Sequence, residues 1–405
     1  MLKLTGIGAT GIIIGASGIG TTIKALGYEI QPSADDDLSA KNKIAFYGRH
    51  QSGITTALQS HIYFAALDVL AESKEELKQL FKMWTPLAVR LMNGEQVGDP
   101  ASNVYIPPVD TGEAAGMDAS NLTITFGVGP SLFENNRFNI GHLKPKELAD
   151  LPHFPKDQLD AAYNGGDICI QACADDPQVA FHAVRNLVRA ASGKVKIKWS
   201  QAGFNAIPRD GGTPRNLFAF KDGTVNPASE KDYNESVWIH SRESKNWLAN
   251  GTYLVYRRIQ MHLETWDRTT LDQQEATFGR YRDSGAPFGK KGEFDEFNEL
   301  EKDENGNYIV PETSHVHLAR LPKQTILRRS YSYSSGIVPN TGAYDSGMMF
   351  ISFQKSPQQF IDIQNSLGRN DKLNEYITHR GSAIFACFPG VEKGSYLGEA
   401  LFADL

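Results

Sequence analysis

The sequence predicts an α+β fold of two ferredoxin-like domains, each an antiparallel sheet with flanking helices, from three observations. In the first half, strand-like apolar runs and two amphipathic helical patterns follow one another in the ferredoxin-like order β-α-β-β-α-β. The second half repeats a similar order, which suggests an internal duplication. The chain has 405 residues, 40% of them hydrophobic and 22% charged, so it is long and apolar enough for two globular domains.

The first half begins with a short predicted strand, IAFY at 44–47, and a loop at 48–53. Two helices are predicted from apolar residues at helical spacing, one at 74–94 that ends at Gly94 and one at 177–192. The remaining predicted strands of this half lie at 61–71, 121–133, 167–176 and 195–204.

The second half begins with a long predicted strand at 251–266. A charged, Gly-rich stretch at 289–307 predicts a mobile surface loop. The other predicted elements are a helix at 270–282, a strand at 347–354, a helix at 357–369 and a closing strand at 382–390.

Residues 1–40 are predicted to be a signal-like segment and linker, which leaves 41–212 and 213–405 as the two domains. The run at 4–20 is apolar, rich in small residues and preceded by a lysine. Its weak hydrophobicity favours the twin-arginine export route, and MLKLTG resembles the end of a twin-arginine motif whose arginine pair is missing. We therefore expect export to the cell envelope or beyond if the signal is complete. A literal GxGxxG at 6–11 follows no strand, so a dinucleotide site is not expected.

Composition excludes several classes of function. The net charge of −6 provides no basic excess for nucleic acid, which is not expected as a partner. Three cysteines are too few for a disulfide framework, and the absence of a CxxCH motif excludes a typical covalent c-type haem. Cys169 and Cys173 fall on one side of a predicted strand and are interpreted as small buried hydrophobic residues.

Three separated side chains form a chemical constellation. The stretch NLFAFKDGTVNP at 216–227 carries Asp222 into an Asp-Gly turn, where the backbone can approach a ligand closely. His315 lies in SHVHLAR, and Arg328 lies in ILRRSYSY. A neutral imidazole is a suitable axial ligand for haem iron, and arginine supplies a permanent cation with a rigid fork of donors. An acid–base group, a cation and an axial histidine together predict a peroxidase centre.

These stretches resemble the dye-decolorizing peroxidase family, in its iron-transport (EfeB-like, deferrochelatase) subgroup. The stretches that carry the resemblance span nearly the whole chain after residue 42 and are FYGRHQSGITT, IYFAALDV, NLFAFKDGTVNP, SHVHLAR, ILRRSYSY and GMMFISFQ. The resemblance implies two ferredoxin-like domains that enclose one non-covalent haem b per chain. It also implies hydrogen peroxide as the oxidant, with dyes, phenolics or iron-related compounds as small reducing substrates oxidised in one-electron steps.

The resemblance implies roles for individual residues. His315 is the expected proximal ligand of the haem iron, Asp222 the distal acid–base group and Arg328 the distal cation, which also contacts the haem. Asn226 is expected to help position peroxide. The further cofactor contacts expected are Gly223, Thr224 and Val225 close to the haem, and Arg320 near the propionates.

Two positions depart from the family pattern. Ala219 stands where the GxxDG signature has its first glycine, and His317 stands where related chains usually carry an arginine that could pair with a haem propionate. His50 and His262 are interpreted as structural histidines.

Bulky dyes would not reach an enclosed haem, so a relay of electrons through aromatic side chains is also expected. The candidates for this relay are Trp266, Tyr331 and Tyr333.

Two alternatives to a peroxidase remain open from the sequence. A deferrochelatase would release iron from haem for an iron-uptake system and would use the same pocket. A haem-binding or haem-carrying protein without turnover would not need Asp222 and Arg328. The sequence leaves the oligomeric state open, including a homo-oligomer.

Overall fold

The computed structural model describes residues 42–98, 103–134, 136–208 and 212–403. The signal-like segment predicted at 1–40 lies outside the described residues. Lys43–Leu405 form one compact unit. Within the described part of the chain, none of the helices combines the length and the apolar character needed to cross a membrane.

The first half folds around four antiparallel strands in the spatial order β4-β1-β3-β2. These strands are β1 (His61–Val69), β2 (Thr123–Val128), β3 (Ile168–Ala174) and β4 (Val195–Phe204). This is the ferredoxin-like arrangement predicted from the sequence. It forms because two helices, which connect β1 to β2 and β3 to β4, cover the sheet with their apolar faces.

Two long helices cover the outer face of this sheet, and a short one follows β2. They are α1 (Lys74–Met92), α2 (Pro130–Glu134) and α3 (Pro177–Ala190). Ser73 caps the first helix, because its side chain accepts from the main-chain N–H of Glu76. Asp176 caps α3 in the same way, with Pro177 in its first turn. Trp84 of α1 is fully buried, and its indole N–H donates to the Leu187 carbonyl at 2.8 Å, which locks the helices together.

The second half repeats the arrangement, with the order β7-β8-β5-β9 and the short strand β6 beside β8. Its strands are β5 (Thr252–Met261), β6 (Leu327–Arg328), β7 (Tyr331–Ile337), β8 (Tyr344–Gln354) and β9 (Ile377–Cys387). Its helices are α4 (Glu230–Ser236), α5 (Leu263–Trp266), α6 (Leu271–Phe278), α7 (His315–Arg320), α8 (Pro357–Asn370) and α9 (Glu399–Ala403). The predicted fold class is confirmed.

The two sheets join at both edges. Gly127 of β2 pairs with Cys169 of β3 on one side and with Cys387 of β9 on the other. At the opposite edge, Phe204 of β4 pairs with Ser332 of β7. A core of apolar residues from both sheets fills the space between their inner faces, and it includes Cys169 and Cys173, so the interpretation of these cysteines as core residues is confirmed.

Four details of the sequence prediction are wrong. The strand predicted at 121–133 ends at Val128, and the residues after it form the short helix α2. IAFY at 44–47 forms no strand, because only Tyr47 finds a main-chain partner, in an isolated bridge to Val391. The strand predicted at 251–266 ends at Met261, and LETW turns into α5, which buries Trp266. The stretch at 289–307 has buried anchors, Glu293 and Glu299, so it is not a simple solvated loop.

The seam at Gly127 predicts a cost for any side chain there. A Cβ at this position would lie 2.9 Å from Cβ of Phe385 and 3.1 Å from the sulfurs of Cys169 and Cys387. We expect Gly127→Ala to lower the free energy of unfolding by about 1–3 kcal/mol, through overpacking. Urea unfolding of the haem-loaded protein measures this. The control is Gly48→Ala, where the new Cβ meets only ordinary contact, and an equal loss in both variants would contradict the prediction.

Candidate active site

The stretch at 216–227 begins with a tight turn that the side chain of Asn216 stabilises. Its main-chain N–H donates to the Phe220 carbonyl at 2.9 Å, and its Oδ1 accepts from the N–H groups of Phe218 and Phe220. Ala219 occupies the turn with φ 68°, in the left-handed region that favours glycine. The alanine that replaces the first glycine of the GxxDG signature therefore lies where a Cβ strains the backbone, and the turn forms with this strain.

The turn delivers Asp222 to Arg328. Nη1 of Arg328 donates to Oδ1 of Asp222 at 3.2 Å, and the side chains are 18% exposed for Asp222 and 26% exposed for Arg328. The sequence separates these residues by more than a hundred positions, and the fold brings them together as the constellation predicts. A carboxylate and a guanidinium in contact, both partly exposed to a cavity, are suited to proton transfer and to stabilising negative charge.

The amide of Asn226 holds the main chain of Arg328. Its Nδ2 donates to the Arg328 carbonyl at 2.8 Å, and its Oδ1 accepts from the Arg328 N–H at 3.0 Å. Asn226 was expected to help position peroxide. In the structure its amide supports the strand that carries Arg328, and Asn226 also lines the smaller cavity with Asp222 and Arg328, so its role in positioning peroxide stays a prediction.

Arg329 points away from Arg328, because successive residues of a strand face opposite sides. It is buried, and its guanidinium donates to the Thr56 and Ala57 carbonyls and to the side chain of Gln59. Of the Arg-Arg pair, Arg328 lines both cavities, whereas Arg329 lines only the smaller one and ties the second half to the first.

His315 is the first residue of α7 and is oriented by a buried carboxylate. Its Nδ1 lies 2.7 Å from Oδ2 of Asp371, whose side chain is 2% exposed. Asp371 is itself fixed, because its Oδ1 accepts from the Leu373 N–H at 2.8 Å. An Nδ1–H that donates to this carboxylate leaves Nε2 of His315 with a free lone pair, which is the state a metal ligand requires.

Two cavities meet at the Asp222–Arg328 pair. The larger, about 440 Å³, contains His315 and Asp371 in its lining. The smaller, about 310 Å³, lies toward the loop at 54–58 of the first half. The residues that line both cavities are Asn216, Asp222, Arg328 and Met348.

The larger cavity combines apolar walls with a mostly cationic lining, which fits an apolar macrocycle with two carboxylates. Most of these cations are paired with carboxylates, several of them behind the wall, and Arg280 is the one without an ion pair among the described residues. Its lining contains six cationic and two acidic side chains, which are Lys221, Arg257, Arg280, Arg320, Lys323 and Arg328, and Asp222 and Asp371. Burial, followed by the charge of Arg328, lowers the pKa of Arg280 to about 10, so Arg280 remains a cation at neutral pH. Arg257 is fully buried, and its Nε has no hydrogen-bond partner among the described residues. These residues fit haem.

The other residues predicted to contact the cofactor divide between the two cavities. Thr224 and Val225 line the larger one, and Gly223 lines the smaller one. Arg320 also lines the larger cavity, where its guanidinium lies 4.6 Å from the ring centre of Phe297. Contact of these four residues with haem stays a prediction.

The remaining histidines of the sequence analysis lie away from Asp222 and Arg328. His317 is buried against the ring of Tyr308 and lines neither cavity, because it lies two residues beyond His315 on α7 and faces the opposite side of the helix. It therefore does not take the place of the family's arginine. His50 stacks on Trp238 and bonds to the main chain, and His262 bonds to a threonine, as structural histidines do.

The three aromatic relay candidates lie in different surroundings. Trp266 packs on Phe218, which lines the larger cavity, with ring centres 4.4 Å apart. Tyr331 lines the smaller cavity, and its hydroxyl is buried beside Arg329 and Cys173. Tyr333 is fully buried under the guanidinium of Arg258. Their role as a relay stays a prediction.

Sequence reasoning missed three residues of the larger cavity: Asp371, Arg280 and His379. Burial, followed by the charges of Arg257 and His315, lowers the pKa of His379 to about 3, which keeps the ring neutral near neutral pH. No local motif marks these residues, because each acquires its role only when α8, β9 and the 270–290 region pack around the cavity.

The stretch at 289–307 lies behind the lining of the larger cavity and holds lining residues through two carboxylates. Glu293 accepts from Lys221 and from the hydroxyl of Thr224, on the segment that carries Asp222. Glu299 accepts a hydrogen bond from Lys323, which lies just after α7. Its carboxylate also lies 3.6 Å from Nε of Arg320, the last residue of α7. The stretch therefore connects the Asp222 side of the cavity with the His315 side.

Comparison with known families covers both halves of the chain. Residues 51–205 match the Dyp-type peroxidase N-terminal domain, and residues 213–392 match the Dyp-type peroxidase C-terminal domain.

Similar proteins of known name and structure agree with these matches. A protein of Escherichia coli (strain K12) named deferrochelatase is 36% identical over 96% of this chain and 95% of its own length. A Yersinia pestis protein with the same name is 36% identical over 89% of this chain and 85% of its own. The ferric form of DtpA from Streptomyces lividans superposes with a TM-score of 0.81 at 34% identity, covering 90% of this chain and 98% of that one. A DyP-type peroxidase from Cellulomonas bogoriensis gives 0.80 at 34% identity, covering 89% and 98%.

The left-handed backbone at residue 219 predicts that Ala219→Gly stabilises the protein. Removing the Cβ relieves about 1 kcal/mol of strain, partly offset by the greater freedom of glycine in the unfolded chain. Thermal and urea unfolding of the haem-loaded protein measure the change. Ala228→Gly, at an exposed position without a left-handed backbone, should not stabilise. A loss of stability in Ala219→Gly would contradict the prediction.

The carboxylate behind His315 predicts that Asp371→Asn weakens haem binding. An amide removes the charged acceptor that orients the ring and supports its basicity, and such outer partners typically contribute about 10–100-fold in affinity or activity. Titration with haem, followed by the Soret band, gives the dissociation constant. Asp362→Asn, on α8 but outside the cavity lining, should bind haem normally. Equal affinity in the two variants would show that Asp371 does not support the ligand.

Proposed function

The chain belongs to the Dyp-type peroxidase family, and we propose that Asp222, Arg328 and His315 carry out the haem peroxidase reaction in the larger cavity. The chain is a haem-dependent enzyme that uses hydrogen peroxide and small reducing substrates, with haem b as its cofactor. The single observation that supports the residue assignment is the contact of Arg328 with Asp222 in the wall of the cavity that also contains the carboxylate-backed His315.

His315 would hold the haem iron through Nε2, since its Nδ1–H is donated to Asp371. The cationic lining, including Arg280 and Arg320, would receive the propionates. When bound, haem would supply the redox chemistry, since it would be oxidised by hydrogen peroxide and reduced again by the substrates in one-electron steps. The remaining chemistry belongs to the side chains of this protein.

In this proposal, Asp222 moves the peroxide proton. Its carboxylate would take the proton from one peroxide oxygen and return it to the other, which would leave as water. Arg328, held beside it at 3.2 Å, stabilises the negative charge that develops as the O–O bond breaks. Asn226 maintains this geometry through its two hydrogen bonds to the Arg328 main chain. Electrons from substrates too large for the cavity would reach it through aromatic side chains, of which Trp266 packs nearest to its lining.

The proton-transfer role predicts the behaviour of Asp222→Asn. The amide keeps the shape of the side chain but cannot accept the proton, so peroxide turnover should fall by about 10²–10⁴-fold, while haem stays bound. Steady-state oxidation of a dye, together with the Soret band of the same sample, measures both. Asp272→Asn, at an exposed position on α6, is the control. Unchanged turnover in Asp222→Asn would remove Asp222 from the mechanism.

A second candidate function is the release of iron from haem with the porphyrin left intact. The observation that favours it is the name deferrochelatase carried by relatives 36–37% identical over most of the chain. The two functions are separated by incubating the holoprotein with haem under reducing conditions and measuring protoporphyrin fluorescence. Free protoporphyrin would support iron release, and intact haem after prolonged incubation would exclude it.

Two further proposals concern the cell. Export by the twin-arginine route is supported by the run at 4–20, and delivery of iron to an uptake system is supported by the deferrochelatase relatives. Fractionation of cells that express the full gene product tests the first proposal. Recovery only in the cytoplasmic fraction would overturn it.

A further inference from the structure

The wall between the two cavities contains one readily oxidised side chain. Asn216, Asp222, Arg328 and Met348 line both cavities. Asn216 is an amide, and Asp222 and Arg328 are the pair assigned to the chemistry. Met348 carries a thioether, which hydrogen peroxide converts to a sulfoxide.

The strand geometry fixes the direction of Met348. Successive side chains of β8 face opposite sides, so Met348 faces the cavities and Met349 faces the core between the sheets. Met349 is fully buried, whereas Met348 is partly exposed. Met348 also packs against the cluster of Phe218, Trp266 and their neighbours, which holds it in the wall.

We propose that Met348 is a modification site, oxidised to methionine sulfoxide by hydrogen peroxide at the Asp222–Arg328 pair. The sulfur attacks one peroxide oxygen, so that an S–O bond forms as the O–O bond breaks, and the sulfur is oxidised by two electrons. The other oxygen leaves as hydroxide and takes the proton from the oxygen now bonded to sulfur, which gives the sulfoxide and one water. No co-reactant other than hydrogen peroxide is needed. The inference rests on the proposed function, because peroxide must reach this pair.

The modification has a functional consequence. A sulfoxide replaces an apolar side chain with a polar group and a strong hydrogen-bond acceptor. Arg328 is a donor in the same wall, so the new oxygen would compete with Asp222 for its guanidinium. We therefore expect turnover to decline as Met348 is oxidised.

The chain provides its own internal controls. Met261 lines only the larger cavity, and Met349 is the neighbour on the opposite face of β8. Met83 and Met117 are partly exposed but line neither cavity, so they report oxidation by peroxide in bulk solvent.

The test treats haem-loaded protein with a small excess of hydrogen peroxide and follows dye oxidation and peptide masses together. Fragment spectra that separate Met348 from Met349 should show the added oxygen mainly at Met348, above both Met349 and Met117, because Met349 is buried and Met117 meets only bulk peroxide. This addition of oxygen at position 348 should be absent in Met348→Leu, unchanged in Met349→Leu and reduced in Asp222→Asn. Met348→Leu should also retain a larger fraction of its own initial rate than Met349→Leu does.

The outcomes separate this proposal from the proposed function. Dye oxidation without added oxygen at Met348 would overturn the modification site and leave the peroxidase assignment intact. Equal oxidation of Met348 and Met117, or equal oxidation in Asp222→Asn, would also overturn it, because bulk peroxide would then suffice. Absence of dye oxidation would overturn the residue assignment and this proposal with it. If Met348→Leu does not fold, the comparison of wild type with Met349→Leu still decides.

Discussion

The two hydrogen bonds between the Asn226 amide and the Arg328 main chain are the constraint on which the site depends. They tie the loop that carries Asp222 to the edge of the sheet that carries Arg328. The Asp222–Arg328 contact at 3.2 Å is a weaker determinant of geometry, because both side chains are partly exposed and flexible. The Asn226 bonds fix the main chain from which the Arg328 side chain extends. The guanidinium therefore needs little reorganisation to stabilise negative charge that develops near Asp222.

On the His315 side, too, the functional side chain is held in place by a residue that supports it. The imidazole is oriented by Asp371, and Asp371 is fixed in turn by its own bond to the Leu373 N–H. The stretch at 289–307 then links the two sides, through Glu293 toward the Asp222 segment and Glu299 toward the end of α7. The side chains that face the cavity are thus held by residues that lie behind it, which is the usual way in which a site keeps its geometry.

Much of this could be predicted from the sequence, and the limits have physical causes. The fold class follows from periodicity and element order, and Asp222, Arg328 and His315 stand in motifs that mark them locally. Asp371 has no such motif, because its role arises only when the end of α8 meets the start of α7. The cationic lining of the larger cavity also depends on tertiary packing, since its residues come from five separate segments. His317 could have been placed correctly if α7 had been recognised as a helix, because residues two apart on a helix face opposite sides.

The pair of neighbouring arginines on β6 has a further consequence. The strand has two paired residues, Leu327 and Arg328, and the main-chain N–H of Arg329 adds one further bond to β8, at the Ile351 carbonyl. A slip of one position along β8 would exchange the sides, so that Arg329 would enter the larger cavity and Arg328 the interface with the first half. Both positions would still hold an arginine, so neither composition nor charge would reveal the error. The native alignment is enforced by partners outside the strand, the Asn226 clamp on one side and the Thr56–Gln59 contacts of Arg329 on the other. The folded first half therefore helps to select the alignment of β6 that leaves Arg328 in the larger cavity, because it supplies the contacts that hold Arg329.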